Sequence, residues 1–122
     1  MIDPKAVCHA IMMVESNGQH NALGDEGRAL GPFQFHPEAF WDWMLRPEPG
    51  CTWADWFYRA ALRFVVSMYN RYPDIEAREI AVVFHQHCYV RRATEHDFIA
   101  DDYATRFDAQ FIGATHSGAA IK

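Results

Sequence analysis

The chain has 122 residues, of which 50% are hydrophobic, 15% aromatic and 22% charged. This is enough for one domain with its own core, without disulfides or metals, and too apolar for a disordered segment. A formal charge of −5 argues against binding nucleic acid through phosphate contacts, and it gives little attraction to an anionic surface unless the seven histidines charge below about pH 6.5.

Three cysteines, Cys8, Cys51 and Cys88, cannot all pair, and a reduced, disulfide-free protein is expected. Residues Met1–Ala10 lack the basic and apolar regions of a secretory signal, and there is no apolar run of the roughly 18 residues a membrane span needs.

Asp3-Pro4 supplies an N-cap followed by proline at the first helical position. Val7, Ala10, Ile11 and Val14 continue as an apolar helical stripe. Glu15 follows Ile11 by four residues, so it projects beside that stripe. It also falls at the helix C-terminus, where the macrodipole disfavours negative charge. A general acid would gain from such a place, and a solvated glutamate at a fraying helix end is the bland alternative. Residues 17–35 are polar and rich in glycine. They predict an irregular loop or small hairpin, with Leu23–Gly24 and Ala29–Gly31 as its edges. Asp25 and Glu26 lie in that turn. There they are either solvated or one of them is a second carboxylate.

Pro37 opens a short helix through Leu45, and Arg46-Pro-Glu-Pro-Gly50 breaks it. Thr52-x-x-Asp55 is a capping-box variant for a helix running to Tyr69 or Arg71. Its stripe of Trp53, Trp56, Phe57, Ala60, Ala61, Phe64, Val65 and Met68 reads as the centre of the core. Tyr72-Pro73-Asp74 ends that helix and caps the next, over about Ile75–His87, with Ile80, Ala81, Val83 and Phe84 on its apolar face. Thr94-x-x-Asp97 caps a last helix to Phe111 or Ile112, carrying Phe98, Tyr103, Phe107 and Phe111, and Gly113 is its stop. Residues 114–122 are expected to fray. His85-x-His87-Cys88, with His96 nearby, suggests zinc, but side chains two apart on a helix diverge, and no metal is expected.

Two stretches carry a resemblance. Glu15-Ser16-Asn17, followed by Gly31-Pro32-Phe33-Gln34, resembles the signature of the lysozyme-like lytic transglycosylases (the superfamily of goose-type lysozyme), which cleave peptidoglycan glycan strands. The second segment, leading to Phe40-Trp41, is also similar to one in invertebrate-type lysozymes. Ala81-Val-Val-Phe-His85-Gln86-His87-Cys88 aligns in part with the family's Ala-x-x-x-Tyr-Asn-x-Gly segment. His85 then stands for its tyrosine, Gln86 for its asparagine and Cys88 for its glycine.

The resemblance implies an α+β, predominantly α-helical, lysozyme-like fold over residues 1–122 as a single domain. A small irregular or β-hairpin lobe would face the catalytic helix. It implies Glu15 as general acid and base. Ser16, Gly31, Gln34, His85, Gln86 and Tyr103 would orient the acid or contact sugar, with Tyr103 reaching toward Glu15 from the last helix unless it is only a core tyrosine. One carboxyl group suffices for a transglycosylase, whereas Asp25 or Glu26 beside Glu15 would make a hydrolytic lysozyme. A non-catalytic glycan-binding domain is the third reading. The implied partner is the glycan strand, met by a monomer without cofactor, nucleic acid or membrane span. Without a signal, a phage endolysin, a phage particle component or a domain of a longer protein is expected.

Overall fold

The structure, a computed structural model, describes residues 2–37, 40, 43, 50, 52–88 and 102–111, apart from the side chains of Asp25, Gln86, His87 and Cys88. It is predominantly helical, with a two-stranded antiparallel sheet. Helix α1 spans Pro4–Ser16. A small lobe follows, built from β1 (Leu23–Gly24), a 3-10 turn (Asp25–Gly27) and β2 (Ala29–Leu30). Then come α2 (Trp53–Arg71), α3 (Ala77–Cys88) and α4 (102–111). No helix among the described residues is long and apolar enough to cross a membrane.

The helix ends follow local chemistry. The Asp3 carboxylate accepts from the Lys5 N–H at 2.9 Å, with Pro4 in the first turn. At the other end Asn17 turns left-handed (φ 55°, ψ 32°), and its N–H reaches the Met13 carbonyl. Thr52 and Asp55 form the full capping box of α2, each side chain bonding the other's backbone N–H.

Strand pairing sets Leu23 against Leu30 and Gly24 against Ala29. Leu30 also exchanges two backbone bonds with Phe35, at 2.9 and 3.1 Å, so residues 31–34 make a second tight turn. That turn drives Phe33 and Phe35, both fully buried, into the core. Phe35 stacks on Phe57 and meets Phe40 and Phe84 edge-on. One apolar cluster therefore joins α1, the 31–36 turn, α2, α3 and α4. Rings in such contacts contribute about 0.5–1.5 kcal/mol per pair beyond their area.

Three expectations change. Trp53 is 61% exposed: it sits at the first residue of α2 and leans edge-on against Trp56 at 4.6 Å, beyond the core. Val83 is exposed rather than on the apolar face. The buried stripe of α3 is Ala77, Ile80, Ala81, Phe84 and His85, whose 3–4 spacing turns residue 83 outward. Helix α3 also starts later than Asp74, because the Ile75 N–H first closes a turn on the Tyr72 carbonyl and Glu76 then accepts from Ile80. The 37–45 helix lies mostly outside the described residues, as do Cys51, Phe98, the Thr94–Asp97 cap and residues 114–122.

Cys8 is free and fully buried. Burial, helped by the nearby charge of Asp3, pushes its thiol up to about 12. The thiolate is the reactive form, so native Cys8 should resist iodoacetamide at pH 8 and react only after denaturation. Peptide mapping of the alkylated site checks this; rapid native labelling of Cys8 would contradict it.

Candidate active site

Three elements far apart in the chain converge on Glu15. Helix α1 presents it in its last turn, just before the Asn17 cap. Its side chain is only 4% exposed, so it is not a solvated glutamate at a frayed end. From α4, the Tyr103 hydroxyl donates to Glu15 Oε2 at 2.9 Å. From α3, His85 Nδ1 lies 3.2 Å from the same oxygen. When the carboxylate is ionised it can only accept, so Nδ1 must then carry the hydrogen.

The two partners also hold each other. The imidazole stacks on the Tyr103 ring, with centroids 4.2 Å apart and planes 24° from parallel. The Arg106 guanidinium lies over the tyrosine ring at 5.7 Å and is tied to Asp102 at 3.1 Å. His85 is itself buried, its side chain 9% exposed. The carboxyl group is thus fixed by groups whose own rotamers are fixed by packing, as acid catalysis requires.

Ser16 and Gln34 join α1 to the small lobe. The Ser16 hydroxyl donates to the Pro32 carbonyl at 2.7 Å, with a longer approach of 3.3 Å to Met12. It thereby sets the height of Glu15 against the 31–36 turn. Gln34, buried and left-handed at φ 53°, donates its amide to the carbonyls of Gly31 (2.8 Å) and Ala22 (3.3 Å). Its carbonyl oxygen lies where a side chain on Gly24 would go. Gly31 is buried at φ 76°, and a Cβ there would come within 2.7 Å of the Phe57 ring. These positions, read from the sequence as sugar contacts, make hydrogen bonds and packing contacts inside the protein.

Glu26 is exposed and left-handed (φ 58°) in the hairpin turn. The side chains of Asp25 and Gln86 lie outside the described residues. Among the described residues, no group of three His, Cys, Asp or Glu side chains is placed to hold a metal ion; the His87, Cys88 and His96 of the zinc reading are not among the described side chains.

Known protein families, curated proteins and solved structures yield no match to this chain. The chemistry must therefore be read from the site itself. Among the described residues it offers an enclosed carboxyl group with Tyr103 and His85 both within hydrogen-bond reach of one oxygen. The His85–Tyr103 stacking was not read from the sequence, because no periodicity relates residues on different helices.

Tyr103→Phe tests the importance of that clasp. Hydrogen bonds to charged groups contribute about 1.5–3 kcal/mol, and the change leaves a buried carboxyl oxygen short of a donor. The variant should unfold at lower temperature and lose about tenfold or more of any Glu15-dependent activity. Unchanged melting and unchanged activity together would mean that the hydroxyl does not hold the acid.

Proposed function

We propose that this chain is a peptidoglycan-cleaving muramidase of the lytic transglycosylase type, with Glu15 as its single acid and base. The observation that carries this reading is the enclosed Glu15 carboxyl, gripped at Oε2 by Tyr103 and His85. Tyr103 can donate to Oε2 whether or not the group is ionised, and the neutral carboxyl carries the acid proton. That proton passes to the glycosidic oxygen between N-acetylmuramic acid and N-acetylglucosamine. The contacts to Oε2 survive its loss. The carboxylate then takes a proton from the muramoyl C6 hydroxyl, whose oxygen closes a 1,6-anhydro ring on C1. The cycle returns Glu15 to its starting state and consumes no water.

The reading needs no cofactor. Its partner is the glycan strand, and delivery by a phage lysis system, by a phage particle or within a longer protein would suit it. The resemblance carried by Glu15-Ser16 and Gly31–Gln34 supports it from the sequence side.

A hydrolytic lysozyme would need a second carboxylate, and the hairpin turn that carries Asp25 and Glu26 is where one would come from. Asp25→Asn and Glu26→Gln separate the two chemistries. For a transglycosylase, both variants should clear purified sacculi within about twofold of the parent rate. A drop of about 100-fold or more in either, the usual effect of removing an acid or base, would assign hydrolysis instead.

A further inference from the structure

The side of α2 turned away from the core is not a plain solvated surface. Leu62, Arg63, Val66, Ser67 and Asn70 lie along it at helical spacing, and together with Trp43 they line a hollow of about 430 Å³. Small-ligand sites span about 300–1,000 Å³, mostly apolar with a few convergent polar groups. This one has Trp43, Leu62 and Val66 against Arg63, Ser67 and Asn70.

Its walls are held in place. The Trp43 indole stands edge-on against Phe64, with centroids 5.1 Å apart and planes at 84°. Arg63 Nη1 donates to the Trp43 backbone carbonyl at 2.8 Å. A second hollow, of about 190 Å³, adjoins the first through Val66 and Asn70 and is completed by Pro4, Tyr69 and Pro73. Tyr69 forms part of that wall, and its hydroxyl, buried from solvent, has no hydrogen-bond partner among the described residues, an unusual state for a buried polar group. Burial pushes this phenol above its ordinary range, so it stays a donor.

We infer that these joined hollows are a second saccharide site, taking a carboxylate-bearing sugar of the wall polymer. The lining fits that class of ligand. Guanidinium, amide and hydroxyl groups suit a partner rich in oxygen acceptors. An aromatic ring suits the C–H face of a pyranose, because the ring face is negative and the C–H groups slightly positive. Among the described residues neither lining includes an acidic side chain, although the whole chain carries −5, and Arg63 supplies a cation to the wall. A lactyl carboxylate on the sugar is its natural counterpart.

The site is separate from Glu15. Pro4 and Glu15 are eleven residues apart on α1, about 16 Å at 1.5 Å per residue. A strand held here would keep the enzyme on the wall while another stretch reaches Glu15. This role rests on the muramidase reading, but binding can be measured without it.

The test uses the Glu15→Gln protein and the disaccharide N-acetylglucosaminyl-N-acetylmuramic acid, followed by amide NMR and tryptophan fluorescence. N,N′-diacetylchitobiose, which lacks the carboxylate, is the neutral control. The expected result is saturable shifts along residues 62–70. Arg63→Gln and Asn70→Ala should each weaken binding about tenfold, as loss of a ligand hydrogen bond does. Both residues are exposed, so the fold should survive. The control should bind more weakly and ignore Arg63→Gln. Shifts confined to the surroundings of Glu15 and Tyr103 would overturn the proposal. So would unchanged affinity in both variants, or binding of short acidic peptides but not the disaccharide. Retained cleavage by Glu15→Gln would defeat the catalytic reading alone, since the shifts at 62–70 are measured independently of it.

Discussion

Replacing Glu15 with glutamine is expected to cut glycan cleavage by about 10²–10⁴-fold, the range associated with losing a positioned acid or base. Glutamine keeps the shape of the side chain and an oxygen that can accept from Tyr103, now 2.9 Å from Oε2. What it lacks is a proton that can leave. The melting temperature should therefore move little, which separates lost chemistry from lost structure. The comparison is decisive because the carboxyl group is enclosed, with its side chain 4% exposed. Bulk water and buffer have poor access to do its work. A glutamine variant that clears sacculi at the parent rate would remove Glu15 from the mechanism.

Gly31→Ala should have the largest effect on stability. At φ 76° an L-residue with a side chain is strained, and the new Cβ would meet two Phe57 ring carbons at 2.7 Å. Left-handed backbone costs about 1–2 kcal/mol and overpacking about 1–3 kcal/mol. The ring has little room to withdraw, since Phe57 packs against Phe35, Phe40 and Trp53. A loss of about 2–5 kcal/mol would lower the melting point by roughly 10 °C or more in a chain of this size. Below its lowered melting point the variant should keep much of its activity, because Glu15, His85 and Tyr103 are joined by contacts that do not include Gly31. Thermal unfolding checks the first part. A melting point within a degree or two of the parent would contradict the close approach to Phe57.

The contrast between these two positions explains what could be read from the sequence. Signals carried by neighbouring residues were legible. Asp3-Pro4 and Thr52-x-x-Asp55 state their caps within a few residues, and the glycines of 17–35 frame a hairpin whose second strand ends at Leu30, one residue short of the expected edge. Signals that depend on distant partners were not. Nothing near Gly31 in the sequence announces a ring supplied by residue 57. The glycine read there as room for sugar is room for the core. Gln34 is similar, since its amide partners, Ala22 and Gly31, become neighbours only when the two turns close.

The convergence on Glu15 is the extreme case. His85 and Tyr103 lie 70 and 88 residues away, and no periodicity relates them to the acid. Only the resemblance links them to the acid, with a core tyrosine as the alternative for Tyr103. For Tyr103 the alternative was half right: the ring is buried in the core, but its hydroxyl points to a carboxylate rather than to water. The start of α3 shows a smaller version of the same limit. Tyr72-Pro73-Asp74 looks like a stop and a cap together, yet the Tyr72–Ile75 turn intervenes and moves the first helical residue to Ala77.

The most direct test of the central claim is mass spectrometry of the soluble products released from purified peptidoglycan by the parent chain and by Glu15→Gln. The parent should release 1,6-anhydromuramoyl products, one water lighter than hydrolytic ones, and the variant almost none. Ordinary reducing ends from the parent would contradict the transglycosylase chemistry and move the mechanism to a hydrolase. Equal product yields from the two proteins would contradict the role of Glu15 itself.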